Sequence, residues 1–380
     1  MAAKKSSSFA SPADGEAMAA RLASGAVFGE EERFDRIFRP GTLDEFVGQE
    51  QHKQNLRVYV EAARRRKEPL DHILLCGPPG LGKTTLAHIL AKEMGAELFV
   101  TSGPAVEHKG VLTGLLTRVA RADILFIDEI HRLSATVEEA LYPAIEDFRI
   151  DVMMGDGAYA ESIQLDIKPF TLVGATTRTG LLTKPLQERF GVTLRLDFYP
   201  VSDLEQIIAR SAKLLEIACD KDGARALAER ARGTPRIANR LVRRVRDFAQ
   251  VEGNGKIDRK IVDIACDRLG IDHAGLDEMD RRLLLMLIET YDGGPVGVET
   301  IAAALAEPRD TVEDVYEPYL LQQGYLGRTP RGRIATKRAY AHLDIPHPDT
   351  LTTHSLTHSF TPPPPPVPSS PLTSPQVPST

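Results

Sequence analysis

Gly77-Pro-Pro-Gly-Leu-Gly-Lys-Thr-Thr85 directly follows the apolar run His72-Ile-Leu-Leu-Cys76 and opens an amphipathic stretch from Thr84. The spacing is that of GxxxxGK[ST], in the context its chemistry needs: the end of a strand and the start of a helix. Glycines let backbone N–H groups approach an anion, and a helix N-terminus adds partial positive charge. Lys83 would pair with β- and γ-phosphate oxygens, and Thr84 would ligate Mg²⁺. Gly77, Gly80, Gly82, Lys83, Thr84 and Thr85 thus form a candidate site for ATP and Mg²⁺.

Further along, Leu125-Phe-Ile-Asp-Glu129 is a second apolar run ending in two carboxylates. At the carboxyl end of a parallel strand Asp128 would hold Mg²⁺, and Glu129 would orient or deprotonate the attacking water. Apolar runs at residues 73–76, 98–100, 124–127 and 171–174 alternate with helical segments. That alternation predicts an α/β fold, a parallel sheet with helices on both faces, over residues 31–200. Residues 201–271 read as a small all-helical lid domain, with helices at 203–216, 221–232 and 236–251. Residues 272–345 read as a winged-helix domain. Helical runs cover 279–291 and 298–305, and Thr311-Val-Glu-Asp314 offers a capping box for a third helix through Gln322. Pro330-Arg331-Gly332 then supplies a turn between two short strands. Residues 1–30 and 346–380 read as tails, the second rich in proline, whose composition buries too little apolar surface to order.

The 380-residue chain carries a formal charge of −6, which excludes a globally basic nucleic-acid coat and leaves DNA contact to local patches. One such patch exists: Arg328, Arg331, Arg333, Lys337 and Arg338 fall within eleven residues with no acidic residue among them. Arg328, Arg331 and Arg333 are the candidate DNA contacts at the wing, reaching phosphates without reading bases; a merely solvated basic hairpin is the alternative. The cysteines, Cys76, Cys219 and Cys266, stand too far apart for metal-ligand spacing, and no segment approaches the roughly 20 apolar residues of a membrane span. A cytoplasmic protein with reduced thiols is expected.

The acidic pair, taken with Gly77 to Thr85, resembles the AAA+ ATPases. Five further strings resemble the RuvB family of motors that drive branch migration of Holliday junctions. They are Arg39-Pro-Gly-Thr-Leu-Asp-Glu-Phe-Val-Gly-Gln49, Asp128-Glu-Ile-His-Arg-Leu133, Gly174-Ala-Thr-Thr-Arg178, Gly233-Thr-Pro-Arg-Ile-Ala-Asn-Arg240 and Gly324-Tyr-Leu-Gly-Arg-Thr-Pro-Arg-Gly-Arg333. The resemblance covers roughly residues 33–343. It implies an ATP-dependent DNA translocase of recombination, repair and the SOS response. Such a motor is a homohexamer that works with RuvA on four-way junctions, with RuvC as the resolvase of the same complex.

By position, the resemblance implies that Thr176 senses the γ-phosphate and Arg236 reaches the nucleotide from the lid. Arg39, Pro40, Val47 and Gly48 would wrap the adenine. Arg189, in Leu186-Gln-Glu-Arg-Phe-Gly191, would be the arginine finger that enters a neighbour's site, where a forked cation suits the charge spread over phosphoryl oxygens. Read as residues alone, Thr176 is also a plain strand end, Arg236 a helix-start arginine, and Arg189 a partner for Glu188 or Asp197. The segment from Ile150 to Ile163 resembles the hairpin that docks RuvA, with Gly155-Asp-Gly157 as its turn and Met153 and Met154 as apolar contacts. Tyr159 and Glu161 depart from the family's small-residue turn and arginine there, and a buried hairpin is the alternative. Two other functions compete. A clamp loader would carry a collar region in place of a winged helix, and a winged-helix regulator using ATP as a switch would not need Lys83, Asp128, Glu129 and Arg189 together.

Overall fold

The structure is a computed structural model that describes residues 37–154 and 161–348. The expected tails, apart from residues 346–348, lie outside the described residues, as do the turn Gly155-Asp-Gly157 and Tyr159. So do the side chains of Met153, Met154 and Glu161.

Five parallel strands, β1 (Ile73–Cys76), β2 (Leu98–Ser102), β3 (Ile124–Asp128), β6 (Thr171–Thr176) and β7 (Val192–Arg195), form one sheet in the order β2-β3-β6-β1-β7. Ile73, Leu75, Ile124, Phe126, Val173 and Ala175 face one core, shared with α1 (Glu50–Arg66) and α2 (Lys83–Met94). Leu74, Cys76, Leu125, Ile127 and Leu172 face the other, shared with α3 (Lys109–Leu116) and α4 (Ala135–Glu146). Both faces are covered, so the central strands read as unbroken apolar runs rather than alternating ones. β7 escapes that reading because it lies at the sheet edge and buries only Leu194. The antiparallel hairpin of β4 (Arg149–Met154) and β5 (Glu161–Asp166) stands apart from the sheet.

After α5 (Lys184–Glu188) and β7 comes the lid: α6 (Val201–Leu214), α7 (Lys221–Arg230), α8 (Pro235–Val251) and α9 (Arg259–Arg268). Its Leu204, Ile208, Leu241 and Val245 join the first core of the sheet, so lid and ATPase domain share apolar packing. The all-helical expectation needs one correction. Two connecting loops pair in parallel as β8 (Ala218–Cys219) and β9 (Lys256–Ile257), which gives backbone groups partners they would otherwise lack.

The winged-helix domain has its own core around Leu283, Leu287, Ile301, Tyr316 and Leu326. α10 (Glu278–Leu285) starts with a capping box in which Asp277 and Asp280 each accept the other's backbone N–H. α11 is Val298–Leu305, and α12 covers residues 309–322 in three consecutive helical stretches. Thr311 is not its cap: Pro308 ends the extended segment, and Thr311 already has helical torsions, with no side-chain cap bond. Asp314, freed from that role, bonds elsewhere. The wing is the hairpin of β10 (Leu326–Thr329) and β11 (Gly332–Ala335), widened by two backbone bonds between Val296 and Arg333, and α13 (Lys337–His342) follows.

Candidate functional site: a nucleotide cleft between sheet and lid

Strand order brings the carboxyl ends of β3, β6 and β1 side by side, which is where an open α/β sheet binds ligands. At the end of β1 the chain turns at Gly77 with φ 140°, where a Cβ would lie 2.6 Å from the Leu196 carbonyl oxygen. No side chain caps the start of α2, so its first N–H groups are left for an anion. Lys83 is buried, and its ammonium donates to the carbonyls of Gly77 at 2.7 Å and Pro78 at 2.8 Å. Burial pushes Lys83 down to about 8, opposed by the nearby Asp128 charge. A phosphate brought here would find a cation already poor in water contact.

Gly80, Gly82, Lys83, Thr84 and Thr85 line the cleft together with Asp128 and Glu129. Thr84 and Asp128 supply hard oxygen donors, the set that Mg²⁺ prefers, so the residues fit the cation. Asp128 accepts the Glu129 backbone N–H at 2.9 Å. Glu129 adopts a left-handed φ of 47°, uncommon for a residue with a side chain. Its carboxylate is held by Arg132 at 2.9 Å.

Two expectations about this cleft require correction. Thr176 does not face it: the side chain is buried, its hydroxyl meets His131 Nδ1 at 2.9 Å, and it accepts the Arg178 N–H at 3.0 Å. Thr177 lines the cleft instead. Strand alternation is the reason, since Thr177 shares parity with Val173 and Ala175, which face the core beneath α2. His131, lowered from its ordinary value by burial, is a residue the sequence reading passed over. Gly48 is the second correction: it lies against the Tyr199 ring, outside the cleft lining, while Arg39, Pro40 and Val47 do line it.

From the lid, Arg236 and Asn239 reach the cleft, and the Arg236 N–H bonds to the Gly80 carbonyl at 3.3 Å. Arg210 of α6 donates to the carbonyls of Phe38 and, at 3.0 Å, Glu45, clasping the segment that contains Arg39 and Pro40. Sequence reading offered no signal for Arg210, one arginine on a helix face.

Arg189 is not part of this cleft lining. Its Nε lies 3.0 Å from Glu146, neither of the two partners considered from sequence, and its guanidinium stacks 4.2 Å from the centre of the Tyr142 ring. At the β4–β5 hairpin Ile163 and Leu165 are exposed, and the apolar pairs Val152/Ile163 and Ile150/Leu165 face each other in register.

On the wing, Arg328 and Arg331 are exposed, as are Lys337 and Arg338. Arg333 is not a phosphate contact and the expectation is corrected: it is 7 % exposed, and its fork grips Glu317 at 2.6 and 3.2 Å and Glu313 at 3.2 Å. A guanidinium flanking a turn is pulled inward here because α12 presents two carboxylates under β11.

The family comparisons cover the same three units. Residues 38–196 match the family model "Holliday junction DNA helicase RuvB P-loop domain", 199–272 "RuvB AAA lid domain", and 273–344 "RuvB C-terminal winged helix domain". Among solved structures, the Thermotoga maritima RuvB Holliday junction branch migration motor is 52% identical, with a TM-score of 0.77 over 82% of this chain and 100% of that one. A Lys-to-Arg mutant of T. maritima RuvB is 53% identical, with a TM-score of 0.77 over 82% of this chain and 99% of that one. No described helix is long and apolar enough to cross a membrane. With all three domains matched in order, the chain belongs to the RuvB family of AAA+ P-loop ATPases.

Proposed function

We propose that the chain is an ATP-driven DNA translocase that moves four-way junctions, working as a hexameric ring with RuvA, and alongside RuvC, in the cytoplasm. Lys83 and the first turn of α2 hold the phosphates of ATP, and Thr84 with Asp128 holds Mg²⁺. A bound cation would neutralise charge developing on the phosphate oxygens. Glu129 swings from Arg132 to orient the attacking water, Thr177 reads its position, and Arg236 ties the lid to the nucleotide. The exposed Ile163 and Leu165 offer the apolar surface for RuvA, and Arg328 and Arg331 hold DNA phosphates without reading bases.

One observation carries the ring reading: Arg189 sits off its own cleft, bound to Glu146, while Lys83, Asp128, Glu129 and Arg236 converge there. An arginine so placed serves a neighbour in a head-to-tail ring. An arginine finger contributes about 10³ to 10⁵ in rate, so Arg189→Ala and Glu129→Gln are each expected to be nearly inactive. Mixed under subunit exchange, about a quarter of interfaces would join an intact cleft to an intact finger, and ATPase activity returns. A mixture that exchanges subunits yet stays as inactive as its components would overturn the ring mechanism.

A further inference from the structure

Along α12, Asp310, Glu313, Asp314 and Glu317 stand three, one and three residues apart, which puts four carboxylates on one helix face. Like charges at that spacing repel, and the stripe persists because cations meet it from two sides. Arg333 of the wing grips Glu317 and Glu313. From the ATPase domain, Arg178 donates through Nε to Asp314 at 2.5 Å and through one terminal nitrogen to Asp310 at 3.1 Å. Its other terminal nitrogen is buried without a hydrogen bond and lies 3.8 Å from Glu313. Arg309, on the same helix, also touches Glu313, at 3.3 Å.

Glu313 is therefore shared among three arginines: one oxygen accepts from Arg333 of the wing at 3.2 Å, and the other accepts from Arg309 at 3.3 Å and lies within ion-pair but not hydrogen-bond distance of Arg178, at 3.8 Å. A buried donor one bond short defines a second arrangement: if the wing draws Arg333 aside, Glu313 can close on Arg178. Arg178 is placed to pass such a change on. Its backbone N–H bonds Thr176, whose hydroxyl bonds His131, and its chain neighbour Thr177 lines the cleft.

We propose that Arg178 is a positioning residue that couples DNA engagement at the wing to the nucleotide cleft through the carboxylate stripe of α12. The inference rests on the ATPase and DNA-binding reading above. It concerns neither substrate binding nor bond breaking, since Arg178 is not among the cleft-lining residues. The physical requirement is a shared element with two arrangements whose balance both sites bias, and Glu313 is that element.

The test uses the full chain. ATP hydrolysis is measured with and without duplex DNA, together with DNA affinity, for the unaltered chain, Arg178→Ala, Arg178→Lys and Asp314→Asn. Expected are basal kcat and KM and a DNA affinity within about twofold of the unaltered chain, with stimulation by DNA cut about fivefold or more in Arg178→Ala and Asp314→Asn. Arg178→Lys should recover part of it, keeping the charge but not the fork. If Arg178→Ala does not fold, Asp314→Asn on the opposite domain carries the test. Undiminished stimulation in either folded variant overturns the coupling. So does a loss of basal and stimulated rates in proportion, which would make the contact structural. Absence of any DNA response in the unaltered chain would instead overturn the functional reading, and the coupling with it.

Discussion

The winged-helix domain is held at two junctions of opposite character. Toward the lid, Arg232 is 6% exposed and meets Asp280, which is fully buried, as well as Asp277 at 3.2 Å and the Gly275 carbonyl at 2.7 Å. The Tyr319 ring lies 5.3 Å from its guanidinium. Toward the ATPase domain, Arg178 is 23% exposed, and its partners Asp310 and Asp314 are 77% and 34% exposed. Water can replace the second set of bonds at little cost and cannot reach the first. Lid and wing are thus expected to move as one body, and the ATPase–wing contact is the joint that can open.

The contrast breaks most readily at its strong end. Arg232→Ala leaves Asp280 buried without its cation, so a loss of about 3 to 5 kcal/mol in unfolding free energy is expected from denaturant titration. A loss below about 1 kcal/mol would erase the difference between the junctions. Arg333→Ala strands Glu317 beneath the wing and is expected to cost about 3 kcal/mol by the same measurement. Its DNA affinity, compared where both proteins are folded, should keep the salt slope of the unaltered chain, because Arg333 holds α12 and not phosphate. At the weak end, Asp314→Asn should cost less than about 1 kcal/mol of stability. Smallest of all in stability is Arg331→Ala, within about 0.5 kcal/mol, yet it should lower the slope of log affinity against log salt by about one. A normal slope there would remove Arg331 from the DNA surface.

The phosphate loop and the Asp128-Glu129 pair were legible from sequence because their function depends on contiguous residues at the end of a strand. The order of the three domains was legible for a related reason: each has a periodicity that repeats within its own segment. Boundaries and pairings fared differently. Thr176 and Thr177 are neighbours of identical chemistry, and only the parity of β6 decides which faces the cleft. Arg331 and Arg333 both flank the wing turn, and only the packing of α12 beneath β11 turns one inward.

By itself, then, the sequence determined what is local: where a strand gives way to an anion-binding helix start, which carboxylates follow an apolar run, and where hydrophobic period changes from one domain to the next. Tertiary structure alone decided the charge pairs. Arg178 and Asp314 are 136 residues apart, and Arg232 and Asp280 are 48 apart. With 47 lysines and arginines and 53 acidic residues in the chain, no spacing rule selects such a pair. The choice depends on which surfaces pack together and how much water each contact excludes, since an ion pair acquires direction and strength only when a fold fixes its distance and its burial.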